Sequence, residues 1–430
     1  MTGSTVKTAG KNWFRLDTAA LIFPATAKRD WCNVFRLSAS LKEDIDPEML
    51  QRALDDMRGR FPSFFVALRR GFFWCCLEKS RRKLTVRPDF AYPLAFMSRR
   101  ELKNNCVRVL YYKNRIAAEF FHSVTDGRGG SVFLCNLAAR YIELKYGVKI
   151  PRGGILRELK EEPTAEELED SFLKYSADVA AKRSTERSYR LHGTREKNGF
   201  KRLITGVTDT DALLSAARER GVSVTAFLAA VMAESIIGMQ EKEKPLKKRR
   251  PVKITVPVDL RRLYGSSTLR NFALVLDPGV DPRWGEYGTD ELCRTIYHQI
   301  RAGATKQNMA GMIAANVLPQ RSTAIRLAPL FVKNAVMKSI YRRSGESGGS
   351  INVSNLSKVD LPSEMLSYVD RMEFILGPQR SYPNNCSVLS CGGKTYINMI
   401  SVIRETELER RFFSRLVELG VPVEIESNSK

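Results

Sequence analysis

The sequence predicts an α/β protein with two domains, each a mixed β-sheet with covering helices. Three observations support this fold class. Short β-branched or aromatic runs alternate with longer helical patterns in both halves of the chain. A highly charged stretch between about Arg157 and Phe200 separates the two halves. The length of 430 residues and a hydrophobic content of 43% are sufficient for two sizeable cores.

The first half begins with sequence typical of strands. A strand is predicted around Cys32 to Ser38, and Asp46-Pro47 then opens a helix that runs to about Met57. Further extended runs follow, each of a length that suits one strand: Ser63 to Arg69, Phe72 to Leu77, Cys106 to Tyr112 and Arg115 to Phe121.

A turn and a long helix follow the strand that ends at Phe121. Gly129 and Gly130 are expected to loosen the chain before this helix begins. The helix is predicted from about Ser131 to Tyr146, with Gly147 as its stop signal.

The charged stretch is predicted to connect the domains. Residues Glu158 to Asp170 include seven acids, and Thr164 with Glu167 fits a capping box for a short helix. Lys182 to Lys201 is mostly basic. We therefore assign residues 1–180 to an N-terminal domain and residues 181–430 to a C-terminal domain.

The second half again alternates strands and helices, although no internal repeat is visible. A strand near Phe200 to Val207 leads into a helix that Thr208 or Asp209 caps and Gly221 ends. A buried, Ala-rich helix is predicted from Ser223 to Gly238. The remaining elements are strands at Val252 to Val258, Phe272 to Leu276, Ser350 to Val353, Met372 to Leu376, Ser387 to Ser390 and Thr395 to Ile400, a helix at Glu405 to Leu419, and a final short strand in VPVEIE.

The segment from His122 to Gly127 is the strongest candidate for a catalytic site. Its histidine lies at a strand–turn–helix junction, where rigid elements can fix a short reactive loop. A neutral imidazole accepts a proton near pH 7, so His122 is a candidate general base. Asp126 would turn away from a substrate and pair with an arginine, and Gly127 would adopt a backbone angle closed to other residues. The alternative is that His122 merely ends a strand.

The pattern His122-Ser-Val-Thr-Asp126-Gly127 resembles the His-x-x-x-Asp-Gly signature of the chloramphenicol acetyltransferase-like superfamily. That superfamily includes peptide-synthetase condensation domains, plant BAHD acyltransferases and alcohol acetyltransferases. The resemblance covers nearly the whole chain and is closest to the bacterial alcohol acetyltransferase or condensation-like branch. The blocks that carry it are NWFRLDTAALIFPA (Asn12 to Ala25), RFPSFF (Arg60 to Phe65), GFFW (Gly71 to Trp74), VPVDLRRLYGSSTLRNFALVL (Val256 to Leu276) and SNLSKVDLP (Ser354 to Pro362).

Two departures from the superfamily pattern are visible. Phe121 occupies the position at which many members carry a second histidine. This departure is compatible with activity, because the histidine at position 122 is the one with the base role. The Asp-Phe-Gly-Trp-Gly motif of the plant enzymes has no counterpart, which argues against a plant-type substrate architecture.

The resemblance implies a fold of two chloramphenicol acetyltransferase-like domains with an active-site channel between them. It places His122 in the middle of this channel and implies that Arg261, from the other domain, pairs with Asp126. The alternative for Arg261 is a solvated arginine at the end of a strand. Asn271 could donate a hydrogen bond near the reaction centre, although an asparagine at a strand end is more often structural.

The expected function is acyl transfer from a thioester donor, with acyl-coenzyme A as the expected donor, to an alcohol or amine acceptor. Direct attack needs no covalent acyl-enzyme, and no Gly-x-Ser-x-Gly elbow is present. No tightly bound cofactor is expected. The alternatives are an amide or ester synthase of the condensation type that depends on an acyl-carrier protein, and a non-catalytic partner protein that binds a carrier or a membrane.

The formal net charge of +23 is unevenly distributed. No acidic residue occurs between Glu291 and Glu346, and a second basic cluster spans Lys244 to Arg250. These bases could attract the phosphates of coenzyme A or an acidic carrier protein, rest on an anionic membrane, or form a solvated surface. Nucleic-acid binding is not expected, since no interleaved aromatics, zinc spacing or helix-turn-helix signal is present. The bases of the window are Arg294, Arg301, Lys306, Arg321, Arg326, Lys333, Lys338, Arg342 and Arg343.

A predicted helix from Thr323 to Arg343 carries part of this basic window. One face of it, formed by Arg326, Leu330, Lys333, Met337 and Ile340, mixes basic and apolar residues.

No run approaches the ~20 apolar residues of a membrane span, and the N-terminal residues lack the apolar segment of a signal peptide. Eight scattered cysteines show no metal-ligand spacing, so we expect no metal site. We expect a cytoplasmic protein, with peripheral membrane contact as an open alternative.

Overall fold

A computed structural model describes residues 13–27, 33–177, 179, 187–340, 348–379 and 382–429. It confirms the predicted α/β class, with mixed sheets and helices that cover them. The predicted domain division at residue 180 falls outside the described residues, as do Cys32, Arg342 and Arg343.

The strands of the described residues are numbered in chain order. They are β1 (Trp13–Arg15), β2 (Val34–Leu41), β3 (Val66–Arg70), β4 (Cys75–Lys79), β5 (Val86–Pro88), β6 (Val107–Tyr112), β7 (Arg115–Phe121), β8 (Arg202–Asp209), β9 (Val252–Asp259), β10 (Ala273–Leu276), β11 (Gly279–Val280), β12 (Ile351–Lys358), β13 (Val369–Leu376), β14 (Asn384–Cys391), β15 (Lys394–Ser401) and β16 (Glu424–Ser427).

The helices of the described residues are numbered in the same way. They are α1 (Ile22–Thr26), α2 (Pro47–Asp56), α3 (Arg99–Leu102), α4 (Gly127–Tyr146), α5 (Ala165–Leu168), α6 (Ser171–Lys174), α7 (Thr210–Glu219), α8 (Val224–Glu243), α9 (Arg261–Tyr264), α10 (Thr289–Gly303), α11 (Lys306–Arg321), α12 (Thr323–Leu327), α13 (Leu330–Ile340), α14 (Ser363–Leu366) and α15 (Glu407–Glu418).

The N-terminal domain contains a sheet with the strand order β13-β2-β7-β6-β5. Strand β2 lies inside this sheet, antiparallel to both β13 and β7, and all eight of its residues are buried. Helices α2 and α4 pack together, and α4 covers β2 and β7. Strand β13 comes from the second half of the chain, so the two halves share one sheet.

The C-terminal domain contains a sheet with the order β10-β9-β12-β14-β15-β8-β16, and β11 also pairs with β9. Strand β12 runs parallel to β9 and β14, whereas β15 is antiparallel to both of its neighbours, β14 and β8. Helix α8 packs against α10, α15 and β9 at the centre of this domain. Length and composition would allow α8 to cross a membrane, but 61% of its apolar window is buried inside the fold.

Several local signals in the sequence act as predicted. Asp46 caps α2 by accepting hydrogen bonds from the backbone N–H groups of the next turn. Thr164 and Glu167 form the expected capping box at α5. Asp209, rather than Thr208, caps α7. Gly147 ends α4 in the left-handed conformation, with φ of 66°.

Several elements begin a few residues away from the predicted positions, and two of these differences concern segments near the cavity. Helix α4 starts at Gly127 instead of Ser131, because Asp126 caps it and the two following glycines are part of its first turn. Strand β4 starts at Cys75 instead of Phe72, because Phe72, Phe73 and Trp74 form the turn between β3 and β4. The N–H of Gly71 closes this turn by donating to the carbonyl oxygen of Trp74 at 2.8 Å.

Candidate active site

His122 directly follows β7 and its ring is held between aromatic side chains. The backbone N–H donates to the carbonyl oxygen of Asn33 at 2.9 Å, which extends the pairing of β2 with β7. The ring stacks on Phe23, with centroids 4.5 Å apart and an interplanar angle of 18°. Phe35 meets it edge-on at 5.1 Å. These contacts fix the plane of the imidazole.

Asn271 fixes which nitrogen of His122 carries the proton. Its Nδ2 donates to the backbone carbonyl oxygen of His122 at 2.9 Å and to Oδ2 of Asp17 at 3.1 Å. A backbone carbonyl can only accept, so the amide nitrogen must face it. The amide oxygen therefore faces Nδ1 of His122, at 3.0 Å. Nδ1 must donate this bond, which leaves the lone pair of the neutral ring on Nε2.

Burial lowers the pKa of His122 below its ordinary value of 6.5. Hydrogen bonding to its own backbone carbonyl, the charge of Asp126 and the bond to Asn271 raise the pKa, but they do not outweigh burial. The ring is therefore mainly neutral near pH 7, in the protonation state that a general base requires.

Asp126 and Arg261 form a buried ion pair between the domains. Nη1 of Arg261 lies 2.9 Å from Oδ2 of Asp126, and Nη2 donates to Oδ1 at 3.0 Å. The same carboxylate caps α4 through the N–H of Gly129 and accepts the N–H of Phe272 at 2.8 Å. Asp126 thus joins the start of α4 to the β9–β10 connection, as the expected aspartate–arginine pair would.

The remaining donors of Arg261 are also used. Its Nε donates to the carbonyl oxygen of Thr268 at 2.7 Å, Nη1 to Asp259 at 2.9 Å, and Nη2 to the carbonyl oxygen of Arg270 at 2.5 Å. Burial alone would lower the pKa of Arg261, but Asp126 and Asp259 raise it, so the guanidinium stays charged. These contacts contradict the alternative of a solvated arginine at a strand end.

Gly127 packs closely against the other domain and does not adopt the expected backbone angle. Its φ is not positive, so the prediction of an unusual backbone angle is wrong. A Cβ at this position would instead lie 2.6 Å from Cδ2 of Leu356, on β12 of the other domain. The constraint is stronger at Gly129, where a Cβ would lie 2.2 Å from both the carbonyl oxygen of Leu269 and Oγ1 of Thr125. Both glycines therefore allow close contact between the domains.

Asp17 is a site residue that sequence reasoning did not identify. Its side chain is completely buried, with Oδ1 accepting the N–H of Ala20 at 2.7 Å and Oδ2 accepting from Asn271. Burial raises the pKa of Asp17, while nearby Arg270 lowers it and Asp170 raises it further. An aspartate inside the apolar run LDTAALIF was the signal that could have identified it.

The His122 ring lines a cavity of about 2020 Å³ between the two domains. Asp126, Gly127, Arg261 and Asn271 contribute to the same lining, so the structure brings every predicted site residue together. About half of the residues that line the cavity are apolar, with Leu16, Phe23, Phe35, Leu274, Met312 and Leu356 among them. Within the described ranges, no group of three histidine, cysteine, aspartate or glutamate side chains is placed to hold a metal ion.

Comparison with solved structures shows the same two-domain architecture in several proteins. Polyketide synthase associated protein 5 from Mycobacterium tuberculosis superposes with a TM-score of 0.61 at 16% identity, covering 95% of this chain and 97% of that chain. Trichothecene 15-O-acetyltransferase from Fusarium sporotrichioides gives 0.60 at 12% identity, covering 95% and 94%. The starter condensation domain of rhizomide synthetase, in complex with C8-CoA and Leu-SNAC, gives 0.58 at 14% identity, covering 95% and 94%.

No protein-family model matches the chain, and no curated protein matches it by sequence. The likeness to solved structures therefore concerns the fold. Two condensation domains, an epimerization domain, an acetyltransferase and a wax ester synthase all share it with this chain over at least 94% of its length. The chain thus has the fold of the chloramphenicol acetyltransferase-like superfamily.

Proposed function

We propose that this protein is an acyltransferase that uses His122 as its general base. The observation that carries the proposal is the hydrogen bond from Nδ1 of His122 to Asn271, in a ring whose pKa is lowered by burial. This bond leaves an unprotonated Nε2 on a ring that lines a large cavity between the domains. A fixed, neutral imidazole in such a position is suited to remove one proton from a bound acceptor.

The proposed reaction is a direct transfer without an acyl-enzyme. Nε2 accepts the proton of the acceptor hydroxyl or amine as its oxygen or nitrogen attacks the thioester carbonyl carbon. The tetrahedral intermediate then expels the thiolate, which takes the proton back from His122 and leaves as a thiol. General-base catalysis contributes on the order of 10²–10⁴ in rate, and positioning by the two domains supplies much of the rest.

The donor is proposed to be acyl-coenzyme A and the acceptor an alcohol or an amine. Two proteins with this fold support that choice. One is an O-acetyltransferase, and the other was crystallised with C8-CoA. No resident cofactor is needed for this chemistry, since the donor brings the activated carbonyl.

The experiment is a thiol-release assay with purified protein. Acetyl-coenzyme A and longer acyl-coenzymes A are each incubated with panels of alcohols and amines, and acylated products are identified by mass spectrometry. We expect product with wild type, and loss of product in His122→Ala with a nearly unchanged melting temperature. His298→Ala is the matched control, because this exposed histidine lies on α10 away from the cavity lining.

The assay also separates the alternatives. If product forms only when the acyl group is carried on an acyl-carrier protein, the donor is carrier-bound rather than acyl-coenzyme A. Transfer that persists in His122→Ala near the wild-type rate would remove the general-base assignment. No transfer from either donor class, in a protein that still binds a carrier, would favour the non-catalytic partner function.

A further inference from the structure

Three consecutive aromatic residues project from the N-terminal domain at the turn between β3 and β4. Phe72 is 68% exposed, Phe73 37% and Trp74 58%. Their rings contact one another, with centroid distances of 4.9 Å and 6.0 Å along the series. We call Phe72, Phe73 and Trp74 the aromatic tip.

The aromatic tip is bound to helix α13 of the C-terminal domain. The N–H of Leu330 donates to the carbonyl oxygen of Phe72 at 2.7 Å. Nζ of Lys333 donates to the carbonyl oxygen of Phe73 at 2.9 Å and lies 5.7 Å from the ring centre of Trp74. The tip and the helix therefore form one continuous surface that spans both domains.

Helices α12 and α13 add apolar side chains to this surface. The most exposed are Leu327 at 67% and Phe331 at 72%. Ile325, Val332 and Val336 of the same helices are also exposed. This face differs from the mixed face suggested by the sequence, because Leu330 packs against the core of the N-terminal domain and Lys333 turns toward the aromatic tip. We call the aromatic tip together with these two helices the tip–helix surface.

The charge of the tip–helix surface has one sign. Helices α12 and α13 lie inside the window between Glu291 and Glu346 that contains no acidic residue. Arg326 and Lys333 are interspersed with the exposed apolar side chains. Aromatic rings beside basic side chains, on a surface without acids, match the interfacial region of an anionic bilayer.

The tip–helix surface borders the cavity that contains His122. Phe73 and Trp74 of the tip line the cavity, and so do Ile325, Val332 and Lys333 of the helices. A bilayer that contacts this surface would therefore lie at the edge of the cavity.

We propose that the tip–helix surface docks on anionic phospholipid bilayers. A bilayer suits a projecting tip, because rings that insert among headgroups need no matching concave partner. An acidic carrier protein or a second copy of this chain would have to supply such a concave site. The proposal extends acyl transfer by directing the cavity toward lipophilic acceptors or donors, and in this respect it rests on the proposed function. Docking itself is measured without turnover, so the two proposals fail separately.

The test is co-sedimentation with large unilamellar vesicles. Vesicles of phosphatidylglycerol mixed with phosphatidylcholine are compared with vesicles of phosphatidylcholine alone, each at low and high salt. We expect stronger partitioning to the anionic vesicles, and weaker partitioning at high salt because exposed charges are screened. Arg326→Gln is expected to reduce partitioning by about fivefold, because it removes one exposed charge. This variant leaves the contacts of Lys333 with the aromatic tip in place.

Matched variants distinguish vesicle binding through the tip–helix surface from binding through any exposed aromatic ring or any exposed basic side chain. Phe72→Ser with Trp74→Ser is expected to abolish most binding while the melting temperature stays near wild type, because both side chains are exposed. Trp284→Ser and Phe90→Ser remove aromatic rings that are 81% and 90% exposed and lie outside the cavity lining. Lys247→Gln with Lys248→Gln removes two exposed charges from the other basic cluster. All of these controls are expected to bind vesicles like wild type.

Three outcomes would overturn the proposal. The first is equal partitioning to anionic and zwitterionic vesicles. The second is undiminished anionic binding by the aromatic-tip variant. The third is that the protein does not bind vesicles but forms a dimer or binds an acyl-carrier protein, and that the aromatic-tip variant loses this dimer or this binding. Such a result would assign the surface to that partner instead.

Discussion

At the scale of single residues, the orientation of His122 depends on a chain of three polar side chains. Asp17 accepts from the Asn271 amide, and the amide oxygen accepts from Nδ1 of His122. Phe23 and Phe35 restrain the ring from two other directions. Because every partner of the imidazole is fixed, the position of its free nitrogen is determined by the fold rather than by the substrate.

The lowered pKa of His122 predicts the pH dependence of acyl transfer. In the proposed mechanism the reactive form is the neutral ring, so kcat/KM is expected to fall as pH decreases through the pKa of the free enzyme. Since burial holds this pKa below 6.5, the midpoint of the acidic limb should lie below that value, with a plateau at neutral pH. The measurement is a pH profile of kcat/KM with a donor that does not titrate in this range. A midpoint above 6.5 would contradict the burial argument.

The sequence was informative about single residues when a local pattern carried the signal. His122, Asp126 and Arg261 were identified from a motif and its resemblance, and the structure brings them together. Asp17 was missed because its burial results from packing against segments more than a hundred residues away, which no local pattern records. Asn271 was predicted near the site, but its effect on the histidine tautomer depends on a distance that only the fold defines.

At the scale of elements, Asp126 connects the start of α4 to the loop between β9 and β10. One carboxylate caps the helix, pairs with Arg261 and accepts the N–H of Phe272. The position of His122, four residues earlier, is therefore coupled to the other domain through α4. Because of this geometry, we expect the effects of Asp126 and Arg261 on the free energy of unfolding to be strongly coupled.

A double-mutant cycle tests this unit. Asp126→Asn is expected to cost about 3 kcal/mol of unfolding free energy, near the lower end for a broken buried pair, because Asp259 still contacts Arg261. Arg261→Ala should add little to Asp126→Asn, and acyl transfer should fall in each variant. Denaturant unfolding of the four proteins measures the coupling. Asp259→Asn, at a more exposed carboxylate, is the milder control, and strictly additive losses would show two independent residues.

Gly129 gives a second test at the scale of elements. In Gly129→Ala the new Cβ would lie 2.2 Å from the carbonyl oxygen of Leu269, so the helix start and the opposite loop must separate. We expect a loss of stability of about 3 kcal/mol, comparable to other severe steric conflicts, together with reduced acyl transfer. Gly59→Ala is the matched control, because no atom lies within 4 Å of its Cβ and its φ is not positive. Equal melting temperatures for the two variants would contradict the close-approach argument.

The glycines also show why element boundaries were partly mispredicted. Gly129 and Gly130 favour a flexible turn when only local propensity is considered. In the structure they lie in the first turn of α4, which Asp126 caps, and contacts with Leu269 and Phe35 leave no space for a side chain at either position. Tertiary packing thus overrides propensity at this position, whereas the caps at Asp46 and Asp209 follow local chemistry and were predictable.

At the scale of the whole molecule, strand β13 makes the two domains interdependent. It pairs along its length with β2, so that Phe374 lies opposite Leu37 in the sheet that also contains β7. The ring of Phe374 meets Phe35 at 6.1 Å, and Phe35 contacts His122. The pattern of residues 372–376 predicted a strand but could not predict its sheet, because strand pairing over more than 300 residues leaves no local signal.

Because β13 from the second half of the chain completes the first sheet, we predict that the N-terminal domain does not fold without the rest of the chain. A fragment of residues 1–177 would leave one edge of β2 unpaired, although all eight residues of this strand are buried in the intact protein. Unpaired, apolar edges promote aggregation, so the fragment is expected to be insoluble or to lack a cooperative melting transition. Co-expression with residues 187–430 should restore a soluble complex, and the full chain should melt in one transition under the same conditions. A monomeric 1–177 fragment with a sharp melting transition would show that β13 is dispensable for the first sheet.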